Sequence, residues 1–534
     1  MTSVELPSDI AALKELVLQE HQRAEQEKQR AELYKFRWEQ MIRRYFGPSS
    51  EKSQETSGQT LLFALPQPEV KPAEAVASTV ETGAGAKRHG GGRRKLPPEL
   101  TRHRIEYTVK EDERLCSCCG EVMQPFGEEV SEQLEYYPAS LFVIEHVKIK
   151  YACAKKCAEK PVTAPGPDKV VDKGLAGPGL MAWNALSKFG DHQPNYRQEN
   201  IFGRHGLEIP RSTQMGWQAT LADLLEPLVK RMTTLTLLSG KIHTDDTPIR
   251  VLAPGTGKTR EARFWVYWGD EAHPFVVFDY TPNRSRDGPA RFLRTFKGFL
   301  QADAYAGYNH IYELRWVIEV ACMAHMRRYF FEAQDTDAHA LEMLALVREL
   351  YQIEDLARPV IADALKIPWE QRAAALEQAY ALRLELRQKS SVAILARMKT
   401  WLDARVLDTL PKSPLGQAVT YALNQWTALT RFTENGMLEI DNNIAENALR
   451  PIALGRKNYL FLGSDEGGRR AAIIYSLIRT CERHGVNAWE YLRDVLVRIS
   501  THPASRIDEL LPHLWKPATT PLPPPSQPPF PTTH

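Results

Sequence analysis

The 534-residue sequence has no long hydrophobic run and no N-terminal targeting segment. A membrane-spanning helix needs about 20 consecutive apolar residues, and no stretch of the chain approaches that length. The first residues, MTSVELPSDI, lack the basic and apolar regions of a signal peptide. The sequence therefore predicts a protein without membrane spans, located in the cytoplasm.

A large excess of charge is also absent, since 68 Lys and Arg face 66 Asp and Glu. This balance hides a local cluster, because residues 87–104 contain seven Lys or Arg and a single acid, Glu99. The surrounding segment 47–100 is rich in Gly, Pro, Ser and Glu, which predicts a disordered basic linker. The Pro-rich tail, 516–534, has the same prediction of disorder.

Cysteines are few, and their number is odd, which argues against a disulfide framework. Five of the seven lie within 42 residues, as a C-x2-C-G knuckle at Cys116 and Cys119 and a C-x3-C pair at Cys153 and Cys157. Four thiolates suit one structural Zn²⁺ in a small module over 101–160. The alternative is a set of reduced, partly buried cysteines, and Cys118 could also replace Cys116 as a ligand.

Two helical regions precede the central part of the chain. Residues 5–46 place apolar side chains at alternating spacings of four and three, which predicts a self-associating coiled coil or, alternatively, one amphipathic helix packed on another domain. Residues 176–238 predict a helix-turn-helix with Gly206 in the turn and with Gln214 and Gln218 facing a DNA groove. The predicted phosphate contacts are Arg197, Arg204 and Arg211. A plain helical hairpin is the alternative.

Five strand-like runs follow, and a short helix separates the last two. They lie at 241–252, 264–270, 274–282, 298–305 and 316–322. This succession predicts a mixed α/β sheet of the RNase H type, with strand order 3-2-1-4-5 and its first part over 239–322. Residues 323–433 have a helical pattern.

Three acids are candidate metal ligands. Asp245 interrupts an apolar strand, Asp303 ends a later one, and Glu446 lies in the first turns of a helix that begins near Asp441. Because the first and fourth strands would be neighbours, Asp245 and Asp303 should face each other and share divalent cations. Strand alternation predicts that Asp246 points to the opposite face. Taken singly, each acid is more often a helix cap or a surface charge.

Long stretches of the chain resemble the sequence motifs of a known family. They include HTDDTPIRVLAPGTGKT (243–259), FLQADAYAGYN (299–309), CMAHMRRYFFEA (322–333) and LEIDNNIAENALRPIALGRKNYLFLGSDEGG (438–468). In these the sequence resembles transposases of the insertion sequence 66 family, which belong to the DDE group and have an RNase H-like core. Two features depart from the family pattern, namely the C-x3-C spacing and Asn447, where the family usually has arginine.

The resemblance implies an enzyme that cleaves element ends and joins their 3′-hydroxyls to target DNA. It implies two catalytic Mg²⁺ (or Mn²⁺) at Asp245, Asp303 and Glu446, and zinc at Cys116, Cys119, Cys153 and Cys157. It also implies a helical insertion domain over 323–433, a second core part over 434–500, accessory proteins of the same element and a bacterial, nucleoid-associated location. A homo-oligomer is expected, because synapsis of two ends needs at least two protomers. The alternatives are a catalytically decayed DNA-binding repressor and an RNase H-like nuclease.

Basic residues near the acids complete the predicted site. His325, in Cys322-x2-His325, could touch the scissile phosphate or orient a carboxylate, although a lone histidine after a strand is as often a core residue. The predicted phosphate contacts of this region are Arg327, Arg328, Arg450, Arg456 and Lys457. A solvated charged face is the alternative for these residues.

Overall fold

The computed structural model describes residues 96–517, except 97, 99, 101, 111–113, 116–120, 138–139, 153–161, 167–169, 171–173 and 254. The predicted coil (5–46), nearly all of the predicted linker (47–100) and nearly all of the tail (516–534) lie outside the described residues. So do Cys116, Cys118, Cys119, Cys153 and Cys157. In the described part, every helix is too short or too polar to cross a bilayer.

The strands of the first sheet come from the segment of the predicted zinc module and the residues directly after it. Its strands are β1 (Arg102–Tyr107), β2 (Gln124–Tyr137), β3 (Ser140–Ala152) and β4 (Val162–Thr163). Strand β3 is central, antiparallel to β2 and β4 and parallel to β1. Among the residues that the structure describes here, the apolar cluster at one end of β3 has four buried side chains, those of Val109, Met123, Tyr151 and Ala164.

Three helices connect this sheet to the next one. They are α1 (Pro178–Phe189), α2 (Asn195–Arg204) and α3 (Arg211–Thr236), which confirms the helical pattern predicted for 176–238. Helix α1 starts with proline at its first position, where the missing N–H costs nothing. Gly206 adopts a φ of 71° in the turn between α2 and α3, a conformation that glycine reaches without steric cost.

The second sheet has five strands, in the order β7-β6-β5-β8-β9. They are β5 (Lys241–Leu252), β6 (Thr259–Trp268), β7 (Val276–Thr281), β8 (Gly298–Gln301) and β9 (Val317–Val320). The first three are antiparallel, whereas β8 pairs in parallel with both β5 and β9. The predicted order 3-2-1-4-5 is therefore the observed order. Helices α4 (Asp287–Phe292) and α5 (Asn309–Tyr312) lie in the connections.

The remaining described chain is helical. After β9 come α6 (Met323–Ala333), α7 (Ala340–Lys366), α8 (Ala373–Leu386), α9 (Val392–Asp408), α10 (Pro414–Asn424) and α11 (Trp426–Thr430). These confirm the helical pattern predicted for 323–433. Helices α12 (Asn443–Tyr459), α13 (Asp465–Arg483) and α14 (Ala488–Arg498) follow.

Both faces of the second sheet are covered, as the alternation of side chains along β6 shows. Phe264 and Val266 join a large core with apolar residues of α1, α3, α12, α13 and α14. Trp265 and Tyr267 point the other way and pack with residues such as Phe296 and Tyr308. A sheet buried on both sides is rigid, and its strand ends are well suited to position a site.

Candidate active site

Asp245 and Asp303 occupy matching positions on adjacent parallel chain segments. His243 of β5 is paired with Gln301 of β8, and each aspartate lies two residues beyond its member of this pair. Burial raises the pKa of Asp245 to about 8, and the nearby charges of Asp303 and Glu446 add to the effect. The predicted proximity of the two aspartates is therefore present in the fold, with Asp245 inside β5 and Asp303 just beyond the end of β8.

His325 and Glu446 complete this cluster from two helices. The His325 Nδ1 atom of α6 lies 3.7 Å from Oε1 of Glu446 on α12. Burial raises the pKa of Asp303, while the nearby charge of His325 acts to lower it. The structure thus brings together the three acids and the histidine that the sequence singled out, at the place where α6 and α12 meet the sheet.

Asn442 positions the start of α12 beside β5. Its side-chain Oδ1 accepts a hydrogen bond from Nδ1 of His243 (3.0 Å), and its Nδ2 donates to the carbonyl of Thr244 (2.9 Å). Its backbone N–H donates to the Cys322 sulfur (3.1 Å). Burial lowers the pKa of His243 to about 3, so the ring is neutral and donates through Nδ1. Asn442 directly precedes α12, but its side chain caps no N–H of that helix and binds β5 instead.

Cys322 lies close to His325 and Glu446, where the starts of α6 and α12 meet. Single ligand atoms of Cys322, His325 and Glu446 all lie within 4.8 Å of one another. The thiol is buried, which raises its pKa to about 12, so it is protonated at neutral pH. Because it also accepts the Asn442 N–H, Cys322 here fastens the two helix starts to each other.

Asp246 is connected to the acids rather than separated from them. Its carboxylate, only 2% exposed, pairs with Nη1 of Arg263 (2.9 Å) and with Nη2 of Arg284 (2.8 Å). The same Arg284 nitrogen lies 4.0 Å from Oδ2 of Asp303. Strand alternation therefore does not separate Asp246 from the acids, because Arg284, from the β7–α4 loop, lies between its carboxylate and that of Asp303.

The chain matches several models of one protein family. Residues 173–470 match the transposase IS66 family, and residues 476–513 match the IS66 C-terminal element. The chain belongs to the transposase IS66 family. Residues 113–157 match the zinc-finger binding domain of this transposase, and residues 33–105 match a domain described as transposase C of IS166 homeodomain.

Three similar proteins of Sinorhizobium fredii (strain NBRC 101917 / NGR234) extend the likeness. Uncharacterized protein y4qI is 34% identical, over 78% of this chain and 76% of its own length. Uncharacterized protein y4hP is 32% identical, over 80% of this chain and 77% of its own. Uncharacterized protein y4jD is 31% identical, over 79% and 81%. The resemblance stated from the motifs is thus confirmed along most of the chain.

The family matches locate the DNA-binding and zinc-binding parts of this transposase. All four predicted zinc ligands fall within the zinc-finger match at 113–157, which indicates Zn²⁺ binding. The homeodomain match lies at 33–105, in the region predicted as the end of a coil and a basic linker. Since a homeodomain is a helix-turn-helix variant, this match indicates such a module ahead of α1 to α3.

The prediction that Gln214 and Gln218 contact DNA is wrong, because both side chains are buried. Gln214 donates to the carbonyl of Ile209 (3.1 Å), and Gln218 donates to the side chains of Asn184 (3.0 Å) and Asn195 (2.8 Å). These amides join α1, α2 and α3 through an internal polar network. The arginines predicted beside them are exposed, namely Arg197, Arg204 and Arg211.

The basic residues predicted to contact phosphates near the acids differ in their exposure. Arg328, Arg450 and Lys457 are exposed and available to a ligand. Arg456 donates from Nη1 to the Thr247 hydroxyl (2.9 Å) and to the carbonyl of Pro248 (2.6 Å), so it fastens α12 to β5. Arg327 is half-buried, with its guanidinium carbon 5.7 Å from the ring centre of Phe331.

Proposed function

We propose that this transposase cuts the ends of its own insertion sequence and joins the resulting 3′-hydroxyls to target DNA. Its second sheet would be an RNase H-like catalytic core, and α6 to α11 would form the helical domain inserted into it. One observation carries the proposal: Asp245 within β5 and Asp303 just beyond the adjacent parallel strand β8 occupy matching positions, where a glutamate from α12 converges with them.

The three acids form a donor set that fits divalent metal ions. Burial raises the pKa of Asp245 most and the charge of Asp303 raises it further, and a cation lying among the acids offsets both effects. Carboxylate oxygens are the ligands that Mg²⁺ prefers, and Mn²⁺ uses the same ones. When bound, two such ions supply activation of a water or 3′-hydroxyl and stabilise the leaving oxygen.

The chain's own residues would keep that site in order. Asn442 ties the first turn of α12 to β5, and Glu446 follows four residues later on the same helix. His325 lies next to Glu446 and can orient its carboxylate or meet a phosphate oxygen. Loss of a contact that orients a metal ligand commonly lowers metal affinity or activity by about 10- to 100-fold.

DNA would be bound mainly outside this cluster. The homeodomain region, the zinc module and the basic linker would contact element ends, and the exposed arginines of α2 and α3 would add phosphate contacts. Self-association through residues 5–46 would bring two ends together, and accessory proteins of the element could assist. The catalytic and binding functions are then separable by mutation.

The decisive test removes one charge at a time from the acids. We expect Asp245→Asn, Asp303→Asn and Glu446→Gln in the full chain to reduce Mg²⁺-dependent cleavage of labelled element-end duplexes to background. Each change keeps size and hydrogen-bonding capacity, so gel-shift binding of the same duplex should persist. Asp223→Asn is a matched control, because it opens only an exposed ion pair with Arg470.

Two results would contradict the proposal. Normal cleavage by all three acid variants would exclude them as metal ligands. A parent chain that binds the duplex but cleaves nothing in Mg²⁺ or Mn²⁺ would favour a DNA-binding repressor.

Zinc has a separate expectation in the same full chain. We expect about one Zn²⁺ per chain by elemental analysis, and loss of that zinc after Cys119→Ser or Cys153→Ser. Retention of zinc by both variants would show that the metal has other ligands.

A further inference from the structure

Arg284 is a charged side chain at the acidic cluster that no motif singles out. It lies in the loop between β7 and α4. Its Nε and Nη2 both donate to Oδ1 of Asp246, at 3.0 and 2.8 Å. Its Nη2 is also 4.0 Å from Oδ2 of Asp303. This arginine therefore lies between a buried ion pair and one of the proposed metal ligands.

The position of Arg284 is fixed from several directions. Its guanidinium carbon lies 4.2 Å from the ring centre of Tyr305, and the Tyr305 hydroxyl donates to the Arg284 carbonyl at 2.5 Å. The loop itself begins at Thr281, whose hydroxyl accepts from Trp265 Nε1 and donates to the carbonyl of Asn283. An arginine placed in this way loses little conformational entropy when it binds a further group.

The charges around Arg284 leave it with capacity for an anion. Asp246 is shared with Arg263, which also pairs with Glu261 at 2.6 Å, so Asp246 does not depend on Arg284 alone. The Arg284 side chain is still 41% exposed, and its Nη1 forms no hydrogen bond with any residue that the structure describes. An exposed guanidinium edge with a free nitrogen matches the geometry of a phosphate group.

We propose that Arg284 contacts a phosphate of the DNA strand that is cut, and that Asp246 and Tyr305 position it for this contact. The inference rests on the proposed function, since it assumes that DNA approaches Asp303. Arg284 would be a catalytic residue in the sense that it touches the substrate beside the reacting bond. Asp246 and Tyr305 would act through it, as positioning residues.

The first experiment compares two arginines of the same loop in the full chain. Arg284→Gln should lower the single-turnover rate of cleavage of an element-end duplex by about 10- to 100-fold, the usual effect of losing a charge-assisted hydrogen bond. Arg286→Gln removes the same charge from an exposed position two residues away and should change the rate less than about threefold. Equal losses in both variants would overturn the proposal, because they would indicate only a general electrostatic effect.

A second experiment locates the contact on the DNA. Duplexes with one neutral methylphosphonate, moved through the phosphates around the cleaved bond, are cut by the parent chain and by Arg284→Gln. At the contacted phosphate, neutralisation should slow the parent chain but cause no further loss in the variant, because the two changes remove one interaction. Additive losses at every position would overturn the proposal and leave Arg284 as a counter-ion of the acids.

Asp246 and Tyr305 are tested with the same cleavage rates and the same methylphosphonate duplexes. Asp246→Asn and Tyr305→Phe should each slow cleavage and should show reduced coupling at the same phosphate, while gel-shift affinity stays within about threefold. If Asp246→Asn does not fold, Tyr305→Phe still decides the point.

If Asp245→Asn abolishes cleavage and Arg284→Gln has no effect, only this inference fails. If Asp245→Asn also cuts normally, the proposed function fails.

Discussion

Strand β5 contributes to two groups of buried charges, one at Lys241 and one at Asp245. In the first group opposite charges are paired, whereas in the second like charges lie together. In the first, Lys241 lies 3.6 Å from Glu439, whose other oxygen lies 2.9 Å from Arg383. Burial alone would raise the pKa of Glu439, but these two cations lower it to about 2. In the second, burial and the charge of Asp303 raise the pKa of Asp245 to about 8.

The difference separates structural charges from functional ones. In the paired group the protein supplies both signs, so the interaction is complete and joins the helices after β9 to the sheet. In the acidic group the protein supplies mainly one sign, and Arg284 offsets only part of it. A cluster of like charges is retained at a cost in stability, as is usual where a ligand completes the site.

The largest effect should come from breaking a buried pair of the first kind. Arg387, 1% exposed, binds both carboxylate oxygens of Glu354 through Nε (2.6 Å) and Nη2 (2.7 Å). Glu354→Gln leaves a buried guanidinium without its counter-charge, and such losses cost about 3–5 kcal/mol. We expect a clear fall in the apparent unfolding temperature, measured by calorimetry.

A control for this change lies on the same helix. Glu349 of α7 pairs with Arg397 at 2.7 Å, but both side chains are largely exposed. Glu349→Gln should cost less than about 1 kcal/mol, because solvent screens an exposed pair. Equal effects of the two variants would mean that burial is not what gives the Glu354 pair its importance.

An intermediate effect of opposite sign is expected in the acidic group. Without divalent metal, Asp245→Asn should stabilise the chain by about 1–2 kcal/mol at pH 8, because it removes a charge that repels Asp303 and Glu446. The folded-state pKa of Asp245 lies above its unfolded value. Its contribution to stability is therefore complete below about pH 4 and is lost as the pH rises to about 8.

The measurement is the unfolding temperature of the metal-free chain between pH 5 and 8.5. The parent chain should lose stability across this range more steeply than Asp245→Asn. Added Mg²⁺ should stabilise the parent chain and leave the variant nearly unchanged, since only the parent has the full set of ligands. Identical pH profiles in the two chains would show that Asp245 carries no unfavourable charge.

The sequence predicted the sheet and the acids because both leave local signals. Alternating apolar runs marked the five strands, and a carboxylate inside such a run, at Asp245, is costly enough to stand out. The helix that carries Glu446 was recognisable from its polar start and from the family resemblance. The succession of these elements indicated a sheet of the RNase H type, and the predicted strand order is the order of that type.

The sequence did not predict contacts that depend on distant parts of the chain. Gln214 and Gln218 read as an exposed polar face of a helix, yet they meet amides of α1 and α2 that make their burial favourable. The role of Arg284 depends on a loop reaching back over β5, and that of Asn442 on its bonds to His243 and Thr244. An arginine three residues after a strand has no distinctive local pattern, so its contact with Asp246 is seen only in the fold.

The smallest effect is expected where the two groups of charges are linked. Tyr351 lies on α7, three residues before Glu354, and its hydroxyl donates to Oδ2 of Asp441 at 2.8 Å. The other oxygen of Asp441 accepts the backbone N–H of Asn443 at 3.1 Å, at the start of the helix that carries Glu446. Through this hydroxyl α7 contacts the start of α12, in addition to the contacts that α6 makes there through Cys322 and His325.

Tyr351→Phe removes that contact and little volume, so it should cost about 1 kcal/mol in stability. Because Asp441 is less constrained without it, we expect the Mg²⁺ concentration for half-maximal cleavage to rise a few-fold while the rate at saturating Mg²⁺ is largely retained. Tyr329→Phe is the matched control, since Tyr329 of α6 is stacked on Tyr421 at the surface. A rise in the Mg²⁺ requirement of Tyr351→Phe alone would show that the paired helices help to position Glu446. An unchanged requirement in both variants would mean that Asn442 and Cys322 suffice to fix the start of α12, and that the two groups of charges are independent despite their proximity.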